Sequence, residues 1–260
     1  MTTTKDFAPI LSDYAFFETH ATEAAHDAAA YAEQIAPFVA AGGPIRMLDF
    51  GCGTGSFTER LLRLLQIPPQ RLELALVEPV SASHQQAAER LASFSRSTIK
   101  HASALEAIAK REFDLIVSNH VLYYVPDLAG TLAALHERLA PEGRLLLAIA
   151  GNENPLIQFW RAGFAMLGEP VPYFVAEDVA ATLAKLGIDH SQTAVPYELT
   201  CDDSEANRLT ILRFLFAEHL VRMPRAAMLA LFDPLVRGGR IEIRTASQHF
   251  VCRQVRGSGS

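Results

Sequence analysis

Residues 48–55 read LDFGCGTG, with glycine at 51, 53 and 55 directly behind an apolar run and directly ahead of a helical pattern. Glycine tolerates positive φ and lets the backbone come close to a ligand, so the run marks a sharp strand-to-helix turn. A strand that turns at once into a helix rejoins its sheet by a crossover, which makes the next strand parallel. The spacing excludes two phosphate loops. A dinucleotide fingerprint, GxGxxG, sets its third glycine one residue later, and a nucleotide P-loop ends in Gly-Lys-Ser/Thr.

The same alternation continues along the chain. IRMLDF (45–50), LELALVE (72–78), FDLIVSN (113–119) and RLLLAIA (144–150) are short apolar runs, and STIKH (97–101) is a weaker one. Helical patterns lie between them at 54–65, 81–94 and 127–139. The first carries Phe57, Leu61, Leu62 and Leu65 on one side and stops at IPP, and the last stops at PEG. This predicts an α/β fold, a doubly wound, mostly parallel Rossmann-like sheet covered on both faces. Such sheets bind ligands along the strand C-termini.

Ahead of the core, the Ala-rich stretch 18–40 reads as one or two helices. After Ala150, helices are predicted at 155–168, 175–187, 205–221 and 225–236, with strand-like pieces at 192–200 and 241–253. A single domain over 1–255 accommodates all of this: cap helices at 12–40, a core at 41–151 and a substrate-cap region at 152–240. Residues 256–260, ending in GSGS, read as a linker or tag remnant.

Charge narrows the partners. The 260 residues carry a formal net charge of -6 and no basic run of five, which gives nucleic acid or an anionic membrane little electrostatic hold. No apolar stretch reaches the roughly 20 residues of a spanning helix. The N-terminus lacks the charged-then-apolar pattern of a signal peptide, so a cytoplasmic protein is expected. Cys52, Cys201 and Cys252 lie too far apart for a disulfide framework or a zinc spacing and read as reduced thiols. The histidines show no HxxxH or HxH spacing with carboxylates, and no metal is expected. The expected partner is a small-molecule substrate, and the expected state a monomer or weak homodimer.

Glu78 closes the run that follows the Gly-rich turn. An acid there can accept two hydrogen bonds from the vicinal hydroxyls of a ribose. The turn and this acid together resemble motif I and its partner acid in class I S-adenosylmethionine-dependent methyltransferases, over residues 45–150. The resemblance implies S-adenosylmethionine as cofactor, held by Gly51, Cys52, Gly53 and Gly55, with Asp49 near its amino-acid part and Glu78 on its ribose. It also implies Ser103, behind His101 and Ala102, at the adenine, and Asn119 with His120 where sulfur and substrate meet. Ser83 and His84 are candidates for the adenosine end, against a plain polar helix start. LAPEGRLLL (139–147) is similar to the family's helix–turn–strand stretch. Cys52 lacks a base to make it a nucleophile.

Three further stretches, HATE (20–23), VEP (77–79) and LYYVPD (122–127), are in this order similar to small-molecule N-methyltransferases typified by histamine N-methyltransferase. That resemblance puts the family's amine-binding glutamate on Glu23 and its first aromatic wall on Phe17. Its paired pocket tyrosines fall on Tyr123 and Tyr124, and a pocket tryptophan on Trp160. One departure stands out: where the family has glutamine before LYYV, this chain has His120. An amide only hydrogen-bonds, whereas histidine donates, accepts or takes a proton near neutral pH. His120, as base or orienting group, and Glu23, as anchor for an ammonium, are therefore the catalytic candidates. Phe216 and His219, on a predicted helix where Leu212, Leu215 and Leu220 already supply a packing face, are pocket candidates. The family's polar contact on the last strand has no single counterpart among Thr245, Gln248 and His249. Each assignment has a bland rival: a solvated helix carboxylate for Glu23, a satisfied strand-end histidine for His120, and core packing for the aromatics.

The implied reaction is methyl transfer to a nitrogen of a small amine, imidazole or amino-acid-like metabolite. Positioning supplies much of the rate of such a transfer, and aromatic faces suit a sulfonium or ammonium at about 0.5–2 kcal/mol per contact. Transfer to a carboxyl or phenol oxygen is the nearest rival. A dehydrogenase and a non-catalytic S-adenosylmethionine-binding protein are the others. An acid in the pocket favours a cationic acceptor over a carboxylate.

Overall fold

A computed structural model describes residues 11–95, 100–108 and 112–254. The linker reading of 256–260 and most of the weak STIKH run lie outside these residues. Helices α1 (Leu11–His20) and α2 (Glu23–Ala40) lead into β1 (Ile45–Phe50), α3 (Ser56–Leu65), β2 (Leu72–Val77), α4 (Ser81–Leu91) and β3 (Lys100–Ala102). Next come β4 (Phe113–Asn119), α5 (Leu128–His136), β5 (Leu139–Ala150), α6 (Pro155–Leu167) and α7 (Ala176–Lys185). The chain continues through β6 (His190–Asp202), α8 (Glu205–Phe216), α9 (Arg225–Ala230), the short β7 (Val236–Arg237) and β8 (Arg240–Arg253).

Among the described residues these strands form one 8-stranded sheet in the order β3-β2-β1-β4-β5-β8-β6, with β7 on β8. Strands β1 to β5 are parallel, and β8 runs antiparallel to both β5 and β6. The order reverses between β1 and β4, the place where open sheets of this kind bind ligands. The apolar runs are buried on both faces, as parallel strands require. In β5, Leu145, Leu147 and Ile149 join one core and Leu146 and Ala148 the other. Ala28, Tyr31 and Ile35 of α2 cover the second face with Leu61 and Leu62 of α3. Leu128, Leu132 and Leu135 of α5 cover the first with Val179 and Leu183 of α7.

The structure departs from the sequence-based expectations in several places, and the helix expected at 225–236 ends at Ala230. PEG does not stop a helix running to 139: α5 ends at His136, and β5 already begins at Leu139. Pairing with β4 then jumps from Phe113↔Leu139 to Leu115↔Arg144, and Glu142 has φ 68. Gly143 permits this bulge, because a Cβ there would sit 2.9 Å from the Phe113 carbonyl oxygen. The helix expected at 205–221 ends at Phe216, where Ala217 (φ 45) starts a 3-10 turn.

A further departure is the length of the last hairpin. β6 and β8 pair from His190↔Cys252 to Asp202↔Arg240, whereas β8 pairs with β5 only from Arg253 to Ser247. Pro196–Asp202 and Arg240–Ala246 therefore run past the C-terminal end of β5 as a two-stranded arm. The Ala-rich segment, expected as one or two helices, forms two, broken at Ala21–Thr22. There Ala21 bridges to Leu199, Thr22 N–H donates to Glu198 O (2.8 Å), and Glu198 N–H donates to the Thr22 hydroxyl (3.0 Å). Arg213 of α8 adds an ion pair to the buried Asp13 of α1 (2.8 Å). The arm thus holds α1 and α2 over the strand C-termini.

Candidate active site

β1 carries Asp49, ends at Phe50 and turns through Gly51, which has φ 79 and donates its N–H to Val77 O (2.8 Å). A Cβ at Gly51 would run into the Val121 side chain, so both the turn and the contact behind it need glycine. Gly55 (φ 78) seats α3 against α4, with Ala87 Cα 3.0 Å from where a Cβ would be. At Gly53 a Cβ would meet nothing within 4 Å, and the turn is open there. Glu78 reaches back to this opening. Its Oε2 accepts from Gly53 N–H (3.0 Å) and its Oε1 from Val80 N–H (2.9 Å), which leaves each oxygen a lone pair.

Other residues implied at this end fall less evenly. Asp49 is buried and accepts the Thr58 hydroxyl of α3. Burial pushes its carboxyl up to about 7, with the Thr58 bond opposing and the Glu78 charge adding. Its visible work is to pin β1 to α3. Cys52 is buried, and burial pushes its thiol up, away from the reactive thiolate. Asn119 Oδ1 is buried without a hydrogen-bond partner at the end of β4. Ser83 is half-buried in the first turn of α4, and Ser103 is exposed after β3.

Beyond β4 the chain passes through His120 in a left-handed conformation, φ 57, with its N–H on Ala148 O (2.9 Å). This turns the ring toward α2. His120 Nε2 lies 2.9 Å from Asp27 Oδ2, and Nδ1 lies 2.9 Å from the Tyr123 hydroxyl. That hydroxyl oxygen also accepts from Ala150 N–H (2.6 Å). The other oxygen of Asp27 is 2.8 Å from His249 Nε2 on β8, and the Ser247 hydroxyl donates to Asp27 Oδ2 at 3.4 Å. Glu23, one helical turn before Asp27, has Oε1 3.6 Å from His120 Nε2. Its carboxylate also accepts from the Tyr197 hydroxyl, whose oxygen accepts from Asn154 Nδ2 (3.0 Å).

A carboxylate taken out of water is costly unless charged partners repay it. Asp27 is 0% exposed, in line with Ala28, Tyr31 and Ile35. Burial alone would raise its carboxyl, but the hydrogen bonds and charges of His120 and His249 outweigh this and lower it to about 2. Burial likewise disfavours charge on His120, yet Glu23 and Asp27 outweigh it and raise the ring to about 9. The Glu23 carboxyl is pushed up by burial, with His120 opposing and Asp27 adding. Glu23, Asp27 and His120 each bring a polar atom within 4.8 Å of the others, and the group closes on itself, because Asp27 Oδ2 and His120 Nε2 already face one another at 2.9 Å.

Aromatic rings flank this cluster. Tyr123 meets Trp160 edge-on (5.4 Å) and Tyr124 at a tilt (5.4 Å), and Tyr173 closes on Tyr124 (5.3 Å) and Trp160 (4.7 Å). The Trp160 N–H donates to Leu215 O (2.9 Å). Phe17, on α1, is buried and stacks on Phe214 of α8 (4.8 Å). Phe216 does not line a pocket: it is fully buried under Gly163, where a Cβ would sit 2.6 Å from its ring. His219 lies farther out, against the edge of Phe164 (5.1 Å) and 3.7 Å from Glu218.

Asp27, Tyr197, Asn154, Ser247 and Tyr173 escaped the reading of the sequence, and His249 was only one of three options on its strand. Asp27 left a usable signal. It stands four residues from both Glu23 and Tyr31, an acid on the apolar stripe of an amphipathic helix. Tyr197 and Asn154 left none, since their meeting with Glu23 depends on the β6–β8 arm.

A family model described as a methyltransferase domain matches residues 22–193. The biotin biosynthesis bifunctional protein BioCD of Bordetella avium is 32% identical over 152 residues, covering 58% of this chain and 31% of that protein. Histamine N-methyltransferase A of Xenopus laevis is 27% identical over 163 residues, covering 55% of this chain and 54% of that protein. The chain thus spans about half or less of the length of these curated relatives. The crystal structure of the YcgJ protein from Bacillus subtilis superposes with a TM-score of 0.55 at 14% identity, over 82% of this chain and 94% of that one.

Proposed function

The chain belongs to the methyltransferase-domain family, and we propose that it is an S-adenosylmethionine-dependent enzyme that methylates a nitrogen of a small amine, imidazole or amino-acid-like metabolite. The residues at the Gly-rich turn fit that cofactor. Glu78 keeps free lone pairs beside open space at Gly53, and Asn119 Oδ1 is buried and unpaired. When bound, S-adenosylmethionine supplies an electrophilic methyl group carried on a sulfonium.

One observation carries the choice of nitrogen. The acceptor end offers one carboxylate to a ligand, Glu23, with Asp27 buried behind it on His120 and His249, and an acid so placed favours a cationic molecule and opposes an anionic one. Glu23, steadied by Tyr197, holds the cationic end of the acceptor by a charge-assisted hydrogen bond. Its raised pKa also suits it to take the proton that the acceptor nitrogen sheds. Tyr123, Tyr124, Tyr173 and Trp160 present aromatic faces to a cation and keep water out. No helix among the described residues is long and apolar enough to cross a membrane. A cytoplasmic monomer or weak homodimer completes the proposal.

Mass analysis of products across amines, imidazoles, carboxylates and phenols tests the reading. N-methylated amines or imidazoles are expected. Methyl esters alone would overturn the nitrogen acceptor. Tight S-adenosylhomocysteine binding with no product from any class would mark a non-catalytic binder.

A further inference from the structure

Asp27 has both carboxylate oxygens committed, one to His120 and one to His249, residues 93 and 222 positions away. It is fully buried, so it acts on a substrate only through another residue. His120 is committed as well. Nε2 faces Asp27 at 2.9 Å, and Nδ1 faces a Tyr123 hydroxyl that already accepts from Ala150 N–H. A general base must reach the proton it takes. Neither nitrogen of this ring is turned to a substrate.

Hydrogen bonding alone accepts either form of the ring, because the Tyr123 hydroxyl can accept from Nδ1 or donate to it. The surroundings decide. Groups facing His120 come from every neighbouring element: Glu23 and Asp27 from α2, Tyr123 from its own turn, Ser247 and His249 from β8, and Tyr197 of β6 behind Glu23. Two of these are carboxylates, at 3.6 and 2.9 Å, in a site sheltered from water. A neutral ring would leave them facing one another with less to offset the repulsion.

We propose that Asp27, steadied by His249, is a positioning residue that keeps His120 an imidazolium, so that His120 is the fixed cation of the acceptor end and Glu23 the group left to meet the acceptor. This rests on Glu23 as the anchor, yet the charge on His120 is measurable with no acceptor present. The raised His120 and lowered Asp27 agree with it.

Ring nitrogen NMR of histidine-labelled protein, from pH 5 to 10, provides the test. Wild-type His120 is expected to stay doubly protonated through pH 8 and to titrate near 9. Asp27→Asn should lower that midpoint by about one unit or more. His249→Gln, which keeps a donor for Asp27, should move it by less than about half a unit. A neutral wild-type ring at pH 7 overturns the proposal whether or not the variants fold. Kinetics add a second reading, because a base at His120 would make kcat climb with pH up to its midpoint. No such climb is expected between pH 7 and 9, and one that follows the midpoint downward in Asp27→Asn would overturn the proposal. Failure to methylate any amine, with the titration as expected, would count against the nitrogen acceptor alone.

Discussion

At the Gly-rich turn the site is shaped by backbone groups close together in the chain: Gly51 on Val77, then Gly53 and Val80 on Glu78. At the acceptor end it is shaped by side chains from α2, the end of β4, β6 and β8, tied by Glu23, Asp27, His120 and His249. The first end depends on conformations that few residues besides glycine adopt readily, so its sequence has little room to vary. The second depends on charges meeting across the fold, where one substitution changes the chemistry and leaves the backbone alone.

The most damaging way to test that contrast is to unpin the acceptor end. Asp27→Ala leaves two imidazoles and Glu23 without their shared partner, and urea unfolding should show a loss of about 3–5 kcal/mol. Wild-type stability in this variant would mean the bridge holds nothing. The same bridge predicts a pH signature. Asp27, lowered to about 2, contributes stability that is present above the ordinary carboxyl range and lost as pH falls toward 2. His120, raised from 6.5 to about 9, contributes stability that is complete below 6.5 and lost as pH rises through 9.

A smaller but more selective effect is expected from Glu78→Ala. Calorimetry should find S-adenosylhomocysteine bound about 2–3 kcal/mol more weakly, roughly 30- to 150-fold, with the acceptor KM at saturating cofactor little changed. Glu23→Gln should do the reverse. The KM of a cationic acceptor rises about tenfold while S-adenosylhomocysteine affinity stays put. In the wild type, 1/KM should fall as pH drops through the raised pKa of Glu23, because the ionised carboxylate holds the cation. Parallel losses in both affinities would show that the two ends are coupled, and the contrast would fail. The least effect is expected from His219→Ala, whose acceptor KM should stay within about twofold, since the residue lies behind Phe164.

The same contrast explains what could be read from the chain alone. The parallel core was legible because apolar runs, glycines and breakers are local: β1, β2, β4 and most of β5 lie where their runs predicted. The bulge at Glu142 and the break at Ala217 were not, because each answers to a neighbour in space. Glu23 and His120 were found through resemblance, and the structure brings them within 3.6 Å. Phe216 was assigned to the site by position, whereas its side chain is fully buried in the packing. Tyr197, Asn154 and Ser247 needed the register of the β6–β8 arm, which no local pattern encodes.

That arm has a further consequence for how the molecule is made. Synthesis runs from α2 toward β8, so Asp27 enters the folding chain long before His249 and Ser247 exist. A nascent chain extended to Ala150 already contains the Gly-rich turn, Glu78, Asn119 and His120. What it lacks is β8, the strand that occupies one oxygen of Asp27 and, with β6, catches the α1–α2 junction. The Gly-rich turn therefore has a head start over the Asp27 cluster, and α2 is left with a half-paired acid until β8 arrives.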